Sequence, residues 1–198
     1  MHATAQLLID VVLQMLEERP VDQITVDQVL AVSKVSRSSL YHHFEDYPDL
    51  VEHAIAARVA TLNLSAAEAV RWLLDTTAEP DEFRAQVIAL TRLNHAQDRA
   101  PFRMTRTVAF AMTDRNERFR ATLARHQQAV TDVYVELISA GQERGWVDTT
   151  LDPASVAVML QAITLGRVVD DVSERPVDPE AWIRTAETAV ARMLFPRT

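Results

Sequence analysis

Residues 35–44 read VSRSSLYHHF, and the types in that run suit more than one kind of chemistry. The adjacent His42 and His43 offer imidazole nitrogens to a metal, but neighbours on a helix point about 100° apart and no third ligand follows at helical spacing. A metal site is therefore a poor reading. Arg37 can fork onto a phosphate or a guanine edge, and the hydroxyls of Ser36, Ser38, Ser39 and Tyr41 can donate to phosphate oxygens. A helix starting here adds free backbone N–H groups aimed at the same kind of acceptor. Phosphate and base recognition is the leading chemistry, and a solvated surface helix the plain alternative.

The elements that must position these groups can be read nearby. Thr25 followed three residues later by Gln28 has the form of a capping box, with Ile24 and Val29 as its hydrophobic staple. This predicts a helix from about residue 26 to about Val32, because Ser36 offers the next N-cap, with Val35 and Leu40 as a second staple. A turn at Ser33, Lys34 and Val35 joins these two short helices. Before them an apolar stripe of Leu7, Leu8, Val11, Val12, Met15 and Leu16 marks a first helix that stops near Pro20. Two short helices joined by a tight turn form a helix-turn-helix, whose second helix enters the DNA major groove. In that helix Leu40 and Phe44 face inward, leaving Arg37, Ser38, Tyr41 and His42 outward.

The remainder reads as helix throughout. Asp46 caps a longer helix that tolerates Pro48 in its first turn and runs to about Leu74, where DTTAEP breaks it. Helices follow over 81–97, 101–113 and 116–144, the last closed by Gly145. Asp152-Pro153 and Asp178-Pro179 each place an N-cap before proline at a first helical position, and these final helices run to about Asp171 and Phe195. The fold class is all-α: a three-helix helix-turn-helix domain over residues 1–50 and a helical domain for effector binding and dimerisation over 51–198.

Composition narrows the function further. The 198 residues are 48% apolar, contain no Cys and carry a formal charge of −8. Without Cys there is no disulfide framework or thiolate zinc site, and the cytoplasm is the expected location. Asp10, Gln14 and Glu17 interrupt the N-terminal apolar residues, which are read as neither signal peptide nor membrane span. The three Gly, at 141, 145 and 166, supply no phosphate-cradling loop, and no nucleophile elbow or zinc-protease pair appears, so no enzyme and no cofactor are expected.

Residues 7–50 resemble the TetR family of bacterial regulators. The resemblance rests on Thr25 and Val26 at the start of the second helix, then Val35, Ser36, Leu40, Tyr41, His42 and Phe44 in and around the third. It implies a ligand-responsive transcriptional repressor: a homodimer that binds a palindromic double-stranded DNA operator and is released by a small-molecule effector. The residues placed on DNA are Thr25, Lys34, Ser36, Arg37, Ser38, Ser39, Tyr41, His42 and Tyr47, with Arg37 and Ser38 at base edges. Three features depart from the family pattern. Lys34 stands where the family has a turn Gly, so a residue with a Cβ must adopt a strained conformation. Tyr47 stands near the position of a phosphate-contacting Lys. Residues 1–51 hold three cationic side chains against eight acidic ones, a net of −5. That deficit is the case for a rival reading, a helical homodimer that has lost DNA recognition and binds a small molecule or partner.

The rest of the chain carries no comparable motif. Aromatic and Met side chains in the middle helices, with a local excess of Arg, suggest an apolar effector cavity at Phe83, Phe102, Met104, Phe110 and Met159, with an Arg, Arg103 or Arg106, at its edge. The helices beginning at Pro153 and Pro179 are apolar over more than one stripe, so one side should meet a partner subunit. The expected contact is Val156, Ile163, Trp182, Ala186 and Val190.

Overall fold

A computed structural model describes residues 2–19, 21–114 and 116–195, apart from the side chains of residue 22 and of residues 62–66. Ten α-helices and no strand occur among the described residues: α1 (Ala3–Glu18), α2 (Val26–Ser33), α3 (Arg37–His43), α4 (Tyr47–Thr76), α5 (Pro80–His95), α6 (Ala100–Met112), α7 (Glu117–Glu143), α8 (Pro153–Gly166), α9 (Val168–Asp171) and α10 (Pro179–Leu194). No helix among these residues is long and apolar enough to cross a membrane. The chain divides into two compact units, Met1–Thr61 and Leu62–Thr198.

In the first unit, local signals set each boundary. The Thr25 hydroxyl accepts from the Gln28 N–H at 3.4 Å while the Gln28 side chain accepts from the Thr25 N–H at 3.0 Å, completing the capping box. Lys34 ends α2 at φ 55°, the left-handed region that a Gly would enter without cost. The Ser36 hydroxyl then starts α3 by accepting from the Ser39 N–H at 3.2 Å. Asp46 accepts from the Asp49 N–H at 2.8 Å, and Asp49 reaches back to the Glu45 N–H at 2.9 Å, so α4 begins with a reciprocal acidic cap.

The core of this unit gathers Leu8, Ile9 and Val12 of α1, Val29 of α2, Leu40 of α3, and Leu50 and Ala54 of α4. Burying each Leu, Ile or Val contributes roughly 1.5–3 kcal/mol. The buried stripe of α1 includes Ile9 rather than Leu7, which is 44% exposed. Pro20, where the sequence ends the first helix, lies outside the described residues.

In the second unit, Phe83 and Val87 of α5, Leu137 and Ile138 of α7, and Val190 and Leu194 of α10 share one core with the C-terminal half of α4. Helix α7 closes in a Schellman motif: Gly145 at φ 73° donates to the Gln142 carbonyl at 2.9 Å, and Trp146 donates to the Gly141 carbonyl at 2.8 Å. A Cβ on Gly141 would lie 2.5 Å from Val147 and 3.1 Å from Phe83, so the close approach of this turn requires glycine. Asp152 and Asp178 cap α8 and α10 by accepting from Ser155 and Ala181 N–H groups at 2.7 and 2.8 Å. The helix expected to run unbroken to Asp171 instead breaks after Gly166, where Arg167 turns inward and donates to Gln97 at 2.9 Å.

Candidate functional site

The exposed face of α3 carries Arg37, Ser38, Tyr41 and His42, opposite the buried Leu40. Tyr41 is 47% exposed, unusual for so large a ring, and its hydroxyl has no internal bond among the described residues. The Ser36 and Ser38 hydroxyls lie 3.1 Å apart, and each retains lone pairs or a proton for a further partner. Arg37 is engaged by the Asp27 carboxylate on α2, an ion pair whose side chains are half and four-fifths exposed. Lys34 stands exposed at the turn. His43 stacks on His2 at 4.8 Å and meets His42 edge-on at 5.0 Å. Loss of hydration, then the nearby His2 and His42, holds the His43 pKa below the usual imidazole value. Among the described residues, no cluster of three His, Cys, Asp or Glu is arranged to hold a metal.

Two of the expected DNA contacts form hydrogen bonds within the chain. The Tyr47 hydroxyl donates to the Ile24 carbonyl at 2.7 Å, and burial pushes its pKa up. Its proton is committed to holding the start of α4 against the turn before α2. The Thr25 hydroxyl accepts within its capping box, which leaves its proton for an outside acceptor.

In the second unit several charges are buried. Arg103 forks onto Asp171 with Nε–Oδ2 at 2.7 Å and Nη2–Oδ1 at 2.8 Å, and both side chains are over nine-tenths buried. This pair holds the Asp171 carboxyl below its usual pKa. Arg167 is 1% exposed and lies over the Trp182 ring at 5.7 Å, with its Nε and Nη1 finding no acceptor among the described residues. The Trp182 indole N–H donates to His95 Nδ1 at 3.1 Å. Burial, reinforced by Arg167 and Arg103, lowers the His95 pKa to about 4, so the ring is neutral at physiological pH.

A cavity of about 290 Å³ opens between α6, α7 and α8, lined by Arg106, Phe110, Gln127, Thr131, Val158, Gln161, Ala162 and Leu165. A second, of about 30 Å³, has room for one water among His95, Asn94, Tyr134, Ile163 and their apolar neighbours. Of the expected effector residues, Arg106 and Phe110 line the larger cavity. Phe83 is wholly buried in the core against Trp146 and Phe195. Phe102 lies beneath the Arg99 guanidinium at 5.2 Å, while Met104 and Met159 are 39% and 53% exposed. The polar lining of Gln127, Thr131 and Gln161 was missed, because single amides and hydroxyls on an amphipathic helix carry no signal of their own.

The residues expected at the subunit contact lie on α8 and α10. Val156, Ala186 and Val190 are buried in their own chain, Ile163 lines the small cavity, and Trp182 bonds His95. The large apolar side chains of α8 that face outward are Val158 and Met159.

The sequence matches no protein-family model and no curated protein. Solved structures do match over nearly the whole chain. A TetR-family transcriptional regulator from Mesorhizobium loti, at 12% identity, aligns over 98% of this chain and 97% of its own with a TM-score of 0.72. A transcriptional regulator from Saccharomonospora viridis in complex with choline, at 14% identity, aligns over 98% of both chains with a TM-score of 0.73. NemR of E. coli, in its reduced form, aligns at 17% identity over 98% of this chain and 100% of its own, with a TM-score of 0.70. At these identities the likeness is one of architecture: the chain has the fold of the TetR-family transcriptional regulators.

Proposed function

We propose that this protein is a ligand-responsive transcriptional regulator, a homodimeric repressor that leaves a palindromic operator when a small molecule binds its second unit. The observation that carries the reading is the exposed face of α3. It is capped at Ser36, backed by Leu40, and presents Arg37, Ser38 and Tyr41 on a helix set by a tight turn after α2. Arg37 and Ser38 read base edges from the N-terminal end of that helix. Lys34, Ser36, Ser39, Tyr41, His42 and the Thr25 hydroxyl position it on phosphates. The S. viridis regulator in complex with choline supports a small-molecule effector for this fold. Subunits join through the outward surfaces of α8 and α10, where Met159 and Ala189 are exposed. An effector acts by binding better to the arrangement in which the two reading helices no longer match successive major grooves.

The test is selection of bound duplexes from a random pool with purified protein, followed by titration of Arg37→Ala and Tyr41→Phe. A palindrome should emerge, with Arg37→Ala losing roughly 1–3 kcal/mol per half-site and relaxing sequence preference. Tyr41→Phe should weaken all duplexes about equally. Recovery of no preferred sequence, even at low salt, would sink the repressor reading in favour of a helical dimer without DNA recognition.

A further inference from the structure

The cavity between α6, α7 and α8 contains a cation without a counter-ion. Arg106 is mostly buried there; one of its N–H groups donates to the Gln127 carbonyl oxygen at 3.1 Å, and its buried Nε–H has no acceptor. No carboxylate among the described residues pairs with it. Its charged neighbour on the same helix, Arg103, has Asp171 for that purpose. The ionisable group that acts on Arg106 is the phenol of Tyr134, and burial pushes that pKa up and keeps the phenol uncharged. Burying an unpaired guanidinium costs several kcal/mol, which a bound anion would offset.

The polar groups around Arg106 are oriented as a chain. Gln127 accepts from Arg106, so its amide must donate, and it does so to Gln161 at 2.6 Å. Gln161 in turn donates to the Thr131 hydroxyl and to the Ala157 carbonyl, each at 3.1 Å. The chain fixes Gln127 with its acceptor toward the guanidinium and leaves the other Arg106 N–H groups without an acceptor among the described residues. Phe110, Val158, Ala162 and Leu165 make the rest of the wall apolar.

We infer that this cavity binds a monoanionic carboxylate with an apolar body of modest size, its carboxylate on Arg106 and its hydrocarbon against Phe110, Val158 and Leu165. The volume of about 290 Å³ lies at the lower end of ligand sites and suits a short-chain or single-ring acid. A forked guanidinium favours a planar carboxylate over a point charge, and the apolar wall discriminates against small inorganic anions. This rests on the effector reading above and specifies the ligand class.

The experiment is calorimetric titration of the full-length protein with hexanoate, acetate, hexanamide and hexylamine. Hexanoate should bind, hexanamide at least tenfold more weakly and hexylamine not at all, with affinity falling about fourfold for each methylene removed towards acetate. Arg106→Gln should lose at least tenfold for hexanoate without loss of thermal stability, and Arg106→Lys should fall between. Equal binding of hexanoate and hexanamide by the unaltered protein overturns the proposal, and this comparison stands even if the variants do not fold. Undiminished hexanoate binding by Arg106→Gln overturns it too. The selected operator is titrated in parallel to keep the two readings apart. If the operator binds and none of the acids does, the anion site fails and the regulator stands. If hexanoate binds through Arg106 without changing operator affinity, the site stands and its role as effector site fails.

Discussion

Two ion pairs, one from each unit, use charge in opposite ways. In the first, Arg37 and Asp27 meet in the open, on side chains half and four-fifths exposed, where water and salt screen the attraction. In the second, Arg103 and Asp171 meet where almost no solvent reaches, and Arg106 and Arg167 are buried with donors left over. Exposed charge is exchangeable, so Arg37 is free to leave Asp27 for a phosphate or a base. Buried charge is committed, so each cation must be matched by a carboxylate, by a dipole, or by a ligand brought in from outside.

The largest test of this contrast is Asp171→Ala, which strands Arg103 and leaves Arg167 with less opposing charge. It should cost about 3–5 kcal/mol in urea unfolding, whereas Asp27→Ala should stay within about 0.5 kcal/mol. Comparable losses from the two substitutions would erase the distinction.

Next is the pH dependence. Folded His95 stays neutral until about pH 4, while the unfolded chain takes up that proton near 6.5, so the unfolded state binds more protons between these values. Stability should therefore fall as pH drops from about 6.5 to about 4, by on the order of 3 kcal/mol from this one group, and level off below. The Asp171 contribution is lost at still lower pH, because its folded pKa is depressed. His95→Gln should flatten the slope between 6.5 and 4; an unchanged slope would assign it to other groups.

Smaller effects belong to the first unit. Removing a cap by Thr25→Ala or Ser36→Ala should cost about 1 kcal/mol each, and Lys34→Gly should gain about 1 kcal/mol by relieving the left-handed backbone, as read by thermal unfolding. The smallest change in stability and the most telling in function is Asp27→Asn. It frees Arg37 and removes a negative charge near the reading helix. Operator affinity should rise several-fold in a binding titration while stability hardly moves.

How legible each unit was follows from the range of its interactions. Thr25 and Gln28, Ser36 and Ser39, and Asp46 and Asp49 act across three residues, so the helix boundaries of the first unit stand in the sequence itself. The inward placement of Leu40 and Phe44 followed from helical period. Tyr47 escaped, because its partner Ile24 lies 23 residues away and a phenol looks the same whether it donates to a carbonyl or a phosphate. In the second unit the decisive pairs, Arg103 with Asp171 and Arg167 with Gln97, span 68 and 70 residues. Nothing local marks them. The faces of α8 are hard to phase for a related reason: a helix apolar on several sides gives no phase to its stripe, and only packing turns Val156 in and Met159 out.

Trp182 sits where these buried charges converge, its indole N–H on the neutral His95 and the Arg167 guanidinium over its face. That makes it an optical reporter. An imidazolium accepts an electron from an excited indole far more readily than a neutral ring does, so a proton arriving on His95 dims Trp182 emission. Trp72, more than half exposed, and Trp146, packed on Phe83, emit beside it, so replacing both with Phe isolates the Trp182 signal. Fluorescence lifetimes thus follow the ionisation of the second unit while the chain is still folded, with no label added.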